Sequence, residues 1–202
     1  ACYRRADAII ANSDGVAKDI SAVTGIPVAS IHVIHNPTVS REMLLEAQEP
    51  LKHPWFEPGD PPVVLGVGRL ARQKDFPTLL RAFAKLHAQR PCRLIILGEG
   101  KERTALVSLA SQLGIQSDVE LAGHVSNPFS FMKRAALFVL SSAWEGSPNV
   151  LIQAMALGVP VVATDCWSGP RDILENGRYG PLVPVGDVNG LAEAMGTVLD
   201  HP

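Results

Sequence analysis

Hydrophobic and polar positions along the chain fall into two rhythms. Short runs that are apolar almost throughout occur at residues 62–68 (PVVLGVG), 93–98 (RLIILG), 119–123 (VELAG), 136–142 (ALFVLSS), 160–164 (PVVAT) and 180–185 (GPLVPV). Between and after them lie segments with apolar residues at helical spacing, at 76–89, 101–113, 128–134, 148–157, 170–174 and 191–199. A strand with one wet face alternates apolar and polar residues; a strand apolar at every position has both faces covered. The alternation of such strands with amphipathic helices predicts an α/β fold, a parallel sheet with helices on both faces. Ligands on such sheets bind at the carboxyl ends of the strands.

The first forty residues read as a smaller unit. Residues 8–11 (AIIA) suggest a buried strand, Asn12-Ser13 a helix cap, 14–23 a helix ended by Gly25-Ile26-Pro27, and 31–34 a second strand closed by Asn36-Pro37. Residues 38–62 are rich in proline and read as an irregular or helical linker. The boundary is therefore set between 1–40 and 41–202.

Composition narrows the picture. A length of 202 residues suffices for one full domain and part of another. A net charge of −2 gives no basic field to recruit nucleic acid. Cys2, Cys92 and Cys166 are odd in number and far apart, which suggests a reducing compartment with no disulfide framework and no zinc spacing. With no apolar run of membrane-spanning length and no signal peptide, a cytoplasmic location is expected. The opening without Met reads as a piece cut from a longer protein.

Residues 141–158, SSAWEGSPNVLIQAMALG, carry the most chemistry. Ser147 is expected as a helix N-cap and Pro148 as the first helical residue, where its missing N–H costs nothing. The N–H groups of Asn149, Val150 and Leu151 then point out of a helix end that carries about half a positive charge and attracts phosphate. Gln153 shares a face with Asn149, while Val150, Leu151, Ala154 and Met155 point into a core. With Glu145 in the preceding loop, the wall suits a ligand with hydroxyls, a diphosphate and a ribose. Trp144 and Trp167 are expected to serve packing.

Gly66-Val67-Gly68-Arg69-Leu70-Ala71 fits the letters of the dinucleotide fingerprint. That fingerprint needs a helix to begin inside it, yet this loop runs on through Arg72-Gln73-Lys74-Asp75, and the position for its acid falls at Leu86. A phosphate clamp fits better: Arg69 offers a planar fork and Lys74 a point charge, both on one loop at a strand end. On a loop, neither is expected to matter for the unliganded fold. Gly98 and Gly100 either let a ligand approach the backbone or serve a tight turn. His124 stands alone, and acid–base work is not expected of it.

The run EGSPNVLIQAMALGVPVV resembles the donor-site signature of retaining GT-B glycosyltransferases of family 4, EGxPxVLLEAMAxGxPVV, with Gln153 at the second acid. GRLARQKD resembles their GRL-x-x-QKG element, with Asp75 at the usual glycine, and DCWSGPR resembles a phrase of bacterial surface-polysaccharide transferases in this group. The resemblance implies that 41–202 form the C-terminal, nucleotide-sugar-binding Rossmann-like domain and that 1–40 end the N-terminal acceptor domain. It implies catalytic roles for Arg69 and Lys74 on the donor diphosphate and for Glu145 on the sugar. Around them Gly68, Gly98, Gly100, the His124–Val125 loop, Gly146, Ser147, Pro148, Asn149 and Val150 would contact the donor, and Gln153 the ribose. An amide can still bond both ribose hydroxyls, losing about 1–2 kcal/mol of charge assistance, and glutamate at 153 is expected to be tolerated.

The implied reaction moves a sugar from a nucleoside diphosphate, UDP foremost, to an acceptor hydroxyl with retention, in bacterial surface-polysaccharide or glycolipid synthesis. The acceptor, a glycan or lipid-linked sugar, would sit on the missing half, compatible with peripheral contact at the inner face of the cytoplasmic membrane. No cofactor is implied, and with no Asp-x-Asp motif no metal either. Two other readings stay open: a non-catalytic nucleotide-sugar-binding module, which Gln153 would suit, and a sugar-nucleotide epimerase of the same fold.

Overall fold

The computed structural model describes residues 3–201, so the reading of Cys2 lies outside the described residues. Two parallel sheets form. The small one pairs β1 (Ile9–Ala11) with β2 (Ile31–Val33) through the crossover helix α1 (Asp14–Thr24). Ser13 caps α1 by accepting from Val16 N, and Gly25 ends it in the left-handed conformation. Ile9, Ala11, Ala17 and Ile31 form its core.

The large sheet has six parallel strands: β3 (Val63–Val67), β4 (Arg93–Leu97), β5 (Val119–Gly123), β6 (Leu137–Leu140), β7 (Val161–Thr164) and β8 (Leu182–Val183). Their spatial order is β5-β4-β3-β6-β7-β8. The apolar runs resolve into two faces at period two. Val64, Leu94, Ile96, Leu137, Val139 and Val162 face one core with α3 (Phe76–His87), α4 (Arg103–Gln112) and α8 (Val188–Asp200). Val63, Leu65, Ile95, Leu97, Phe138, Leu140, Val161 and Ala163 face the other with α2 (Arg41–Glu46), α5 (Pro128–Arg134) and α6 (Asn149–Ala156). The expected α/β, Rossmann-like architecture is therefore present. The chain reverses its winding between β3 and β6, so the loops after those two strands flank the topological switch point, where open α/β sheets bind ligands.

Boundaries differ where caps and prolines decide them. The last helix starts at Val188 rather than 191, because Asp187 accepts from Gly190 N and caps it. The strand expected at 180–185 shrinks to Leu182–Val183, since Pro181 and Pro184 have no N–H for a ladder. Helix α2 forms inside the linker, with Ser40 accepting from Met43 N. Helix α7 (Pro170–Ile173) is a single turn.

Candidate functional site at the carboxyl edge

The loop after β3 is held by backbone bonds to its neighbours. Gly68 N donates to Leu97 O at 2.9 Å, Leu70 N to Glu99 O at 2.9 Å, and Glu102 N to Leu70 O at 3.1 Å. Gly98 N donates to Gly123 O at 2.7 Å, which joins the His124–Val125 loop to the group. This explains two glycines. Gly98 has φ 136° and a Cβ there would lie 2.0 Å from Gly68 O; one at Gly100 would lie 2.2 Å from Leu70 O. The loops approach each other too closely for any side chain, so the tertiary contact demands these glycines, and at Gly98 the backbone conformation does so as well. His124 is exposed, and Val125 packs partly against the second core.

Lys74 ends a 3-10 turn, Arg72–Lys74, and its stem lies over Gly68, where a Cβ would come within 2.8 Å of Lys74 Cε. Asp75 then turns into α3 with φ 43°, a left-handed conformation that Asp tolerates better than most residues. The Lys74 ammonium donates to Glu145 Oε1 at 2.5 Å. Ser142 Oγ donates to the same oxygen at 2.7 Å, and Gln73 Nε2 donates to Glu145 Oε2 at 3.4 Å. The pair is largely covered, with side-chain exposures of 15% for Lys74 and 7% for Glu145. Thr164 Oγ1 donates to Ser142 O at 2.6 Å and Ser141 Oγ to Lys74 O at 2.7 Å, so β6 and β7 hold both partners in place. The expectation that Lys74 is dispensable for the unliganded fold is thereby corrected: it compensates a covered carboxylate. Arg69 is exposed and its guanidinium has no partner among the described residues.

Helix α6 follows Glu145 closely, but its cap differs from expectation. Pro148, at φ −75° and ψ 86°, is the cap residue itself, the helix starts at Asn149, and Ser147 makes no capping bond. Gly169 lies against the Pro148 ring, where a Cβ would come within 2.5 Å of Cδ. Leu151 N donates to Pro148 O at 3.0 Å, while the N–H groups of Asn149 and Val150 have no partner among the described residues. Gln153 and Asn149 do share a face. That face meets the segment leaving the small sheet: Asn36 Nδ2 donates to Asn149 Oδ1 at 3.1 Å and Gln153 Nε2 to Thr38 O at 3.4 Å. Leu151 and Ala154 are buried in the second core, with Val150 and Met155 packed against it.

The glutamine is thus a donor to a carbonyl, which glutamate cannot be. Gln153→Glu is expected to lower stability by about 1 kcal/mol, the worth of one hydrogen bond, revising the expectation of plain tolerance. A urea midpoint equal to that of the parent chain would remove the contact from the account.

The two sheets meet beside this edge. Ser13 and Ser168 hydroxyls lie 3.1 Å apart, Ser168 Oγ donates to Gly146 O at 3.0 Å, and Trp167 Nε1 donates to Asp19 Oδ1 at 3.2 Å. A Cβ on Gly146 would meet Val16 Cγ2 at 3.1 Å. Ser147, His35, Asn36 and Gly169 line a cavity of about 280 Å³ between the sheets. Trp144 and Trp167, expected to pack, are instead 52% and 64% exposed and form a parallel bridge through their backbones.

Cys166 lies close behind the site. Burial, and then the Glu145 charge, push its thiol up to about 11 from 9.0; burial foremost does the same for Cys92. A raised thiol favours folding below pH 9 and loses that contribution as pH climbs through 11. Stability is expected to fall between pH 9 and 11, and Cys166→Ala should flatten that slope. In a Cys2→Ser background, a thiol reagent at neutral pH should label neither buried cysteine in the native chain. Rapid labelling of Cys166 would contradict its assignment as an inert thiol.

The edge therefore brings together a free guanidinium, an ammonium–carboxylate pair and an open helix end, a set that can receive an anionic, polyhydroxylated ligand. The reading of the sequence missed Gln73, Ser142, Asn36, Thr38 and Ser168. Only the adjacency of Gln73 to Lys74 and the three-residue spacing of Ser142 to Glu145 hinted at two of them.

Residues 61–201 match the family described as glycosyl transferases group 1. Over 98% of this chain and 52% of the relative, the sequence is 32% identical to the N-acetylgalactosamine-N,N'-diacetylbacillosaminyl-diphospho-undecaprenol 4-alpha-N-acetylgalactosaminyltransferase of Campylobacter jejuni. Among solved structures, the lipopolysaccharide outer core galactosyltransferase WaaB in its apo form superposes with a TM-score of 0.74 at 30% identity, covering 98% of this chain and 54% of that one. HepE of Anabaena, solved in complex with UDP and glucose, shares the fold at a TM-score of 0.78 and 24% identity, over 97% of this chain and 54% of that one. The chain spans about half the length of these relatives. Among the described residues no helix is long and apolar enough to cross a membrane.

Proposed function

The chain belongs to the glycosyl transferases group 1, and from that membership we propose that it is the donor-binding part of an enzyme that moves a sugar from a nucleoside diphosphate, UDP foremost, to an acceptor hydroxyl with retention of configuration. In this reading residues 41–202 form the donor domain and residues 1–40 the end of the acceptor domain. The observation that carries it is the covered Lys74–Glu145 pair, joining the loop that also bears the unpartnered Arg69 to the loop that leads into the open end of α6.

Each group has a task set by its chemistry. Arg69 and the N–H groups of Asn149 and Val150 meet the diphosphate, whose negative charge grows as the sugar leaves. Lys74 turns part of its hydrogen bonding from Glu145 to the same oxygens. Glu145, relieved of one donor, accepts from sugar hydroxyls. Gln153 keeps its amide N–H on Thr38 O and offers Oε1 to a ribose hydroxyl. The glycines at 68, 98 and 100 bring the β3 and β4 loops together under the nucleotide, with the His124–Val125 loop at the base. The cations neutralise the leaving group without calling on a divalent ion.

The relatives' names point to lipid-linked and lipopolysaccharide acceptors. An acceptor of that kind would place the whole enzyme at the inner face of the cytoplasmic membrane, its acceptor groove in the half that this chain lacks.

The test is calorimetry of this chain with UDP, GDP, ADP and their sugars. One nucleoside diphosphate should bind, and no sugar should move to any acceptor. Binding of none of the three would defeat the donor-site reading; turnover by the 202-residue chain would defeat the division between halves.

A further inference from the structure

A second cavity opens between the turn after β3, the start of α3, the residue before α4 and the loop after β6. It measures about 520 Å³ and is lined by Arg72, Asp75, Pro77, Glu102, Ala143 and Trp144. That volume lies within the usual range for small-molecule sites, about 300–1,000 Å³. None of these residues belongs to the donor set. Gln73 separates the two places: its carbonyl accepts from Ala143 N at 2.8 Å, and its amide donates to Trp144 O and toward Glu145.

The lining is unusual in what it leaves unmade. Glu102 Oε2 is covered yet has no hydrogen-bond partner among the described residues, a condition that native structures rarely keep without cause. The Arg72 guanidinium and the Asp75 carboxylate likewise have no side-chain partner among the described residues. Trp144 exposes 52% of its surface beside them. Two carboxylates against one guanidinium disfavour an anion, and the guanidinium disfavours a simple cation. A neutral ring with hydroxyls on its rim and an apolar face satisfies all four groups. Hydroxyls donate to Asp75 and, once its side chain turns to uncover the orphaned oxygen, to Glu102; they accept from Arg72, and the C–H face covers the indole.

We propose that this cavity is a saccharide-binding site, distinct from the nucleotide site, that holds a sugar residue of a glycan against Trp144. The assignment stands on the lining itself and does not need the donor reading.

The test follows the indole N–H resonance of Trp144, identified by its loss in Trp144→Phe, while maltotriose, chitotriose or lactose is added to the chain. At least one of the three should shift it, with a dissociation constant of about 1 mM, and should do so equally in the presence of saturating UDP. Arg72→Ala and Glu102→Gln should each weaken that saccharide at least about fivefold, the loss of one hydrogen bond, and leave UDP affinity unchanged. No shift with any of the three saccharides, a shift abolished by UDP, or unchanged saccharide affinity in both variants would overturn the site. UDP affinity is measured in the same samples: a saccharide shift without UDP binding would sink the donor reading and leave this one standing.

Discussion

Lys74→Ala is expected to weaken both nucleotide binding and the fold. The ammonium is the partner of a carboxylate that keeps only 7% of its surface exposed. Removing it leaves Glu145 with Ser142 and a long contact from Gln73. Breaking a covered pair from one side costs about 3–5 kcal/mol; with Lys74 itself 15% exposed, the lower end applies. On the proposed donor reading, the same change also removes a charged hydrogen bond to the diphosphate, about 1.5–3 kcal/mol of binding. Arg69→Ala should show the second effect without the first, because the guanidinium has no partner to leave behind. Urea unfolding and calorimetry on the two variants read the difference. Equal stability of Lys74→Ala and the parent chain would mean that the pair is not a structural element. Unchanged affinity in both variants would remove the clamp.

Glu145→Ala should separate binding from transfer. Without its carboxylate, Lys74 has no competing acceptor, so UDP affinity is expected to stay level or rise. On the proposed reading the sugar loses its acceptor group, so the difference in affinity between a UDP-sugar and UDP should shrink. In the complete enzyme, transfer should fall by about 10²-fold or more, the usual loss for one preorganised polar group at a reacting centre. Lost UDP affinity would place Glu145 on the nucleotide. An undiminished transfer rate would take it out of the sugar site.

The two variants also bear on why the pair exists. An unliganded site with free cations and a free carboxylate at close range would hold charges without compensation in a partly covered place. Pairing Lys74 with Glu145 keeps both groups compensated in the unliganded chain; on the proposed donor reading, a diphosphate then competes for the ammonium. Arg69, exposed on the same loop, is free to make the first contact.

The sheet and its helices were legible because their causes are local. Fully apolar runs such as 94–97 require cover on both faces wherever they sit, and the helical spacing of 76–87 declares one buried side. Arg69, Lys74 and Glu145 stand out as candidates through the resemblance of the loops after β3 and β6 to a family's motifs, since surface cations and a loop acid alone do not declare a site. Side-chain partners lay beyond that reach. Lys74 and Glu145 are 71 residues apart, Gln153 and Thr38 are 115 apart, and nothing local says that they touch. The glycines at 98 and 100 looked like places for a ligand or for a tight turn; that the Gly68–Leu70 backbone lies against them could not be read from the sequence. Trp144 and Trp167 were expected to pack, yet on the loops after β6 and β7 they stay 52% and 64% exposed. Sequence by itself determined which segments bury which faces, since that follows from the order of side chains along one element. Only the tertiary structure decided which charges meet and which stay free, since that depends on where separate loops come to rest.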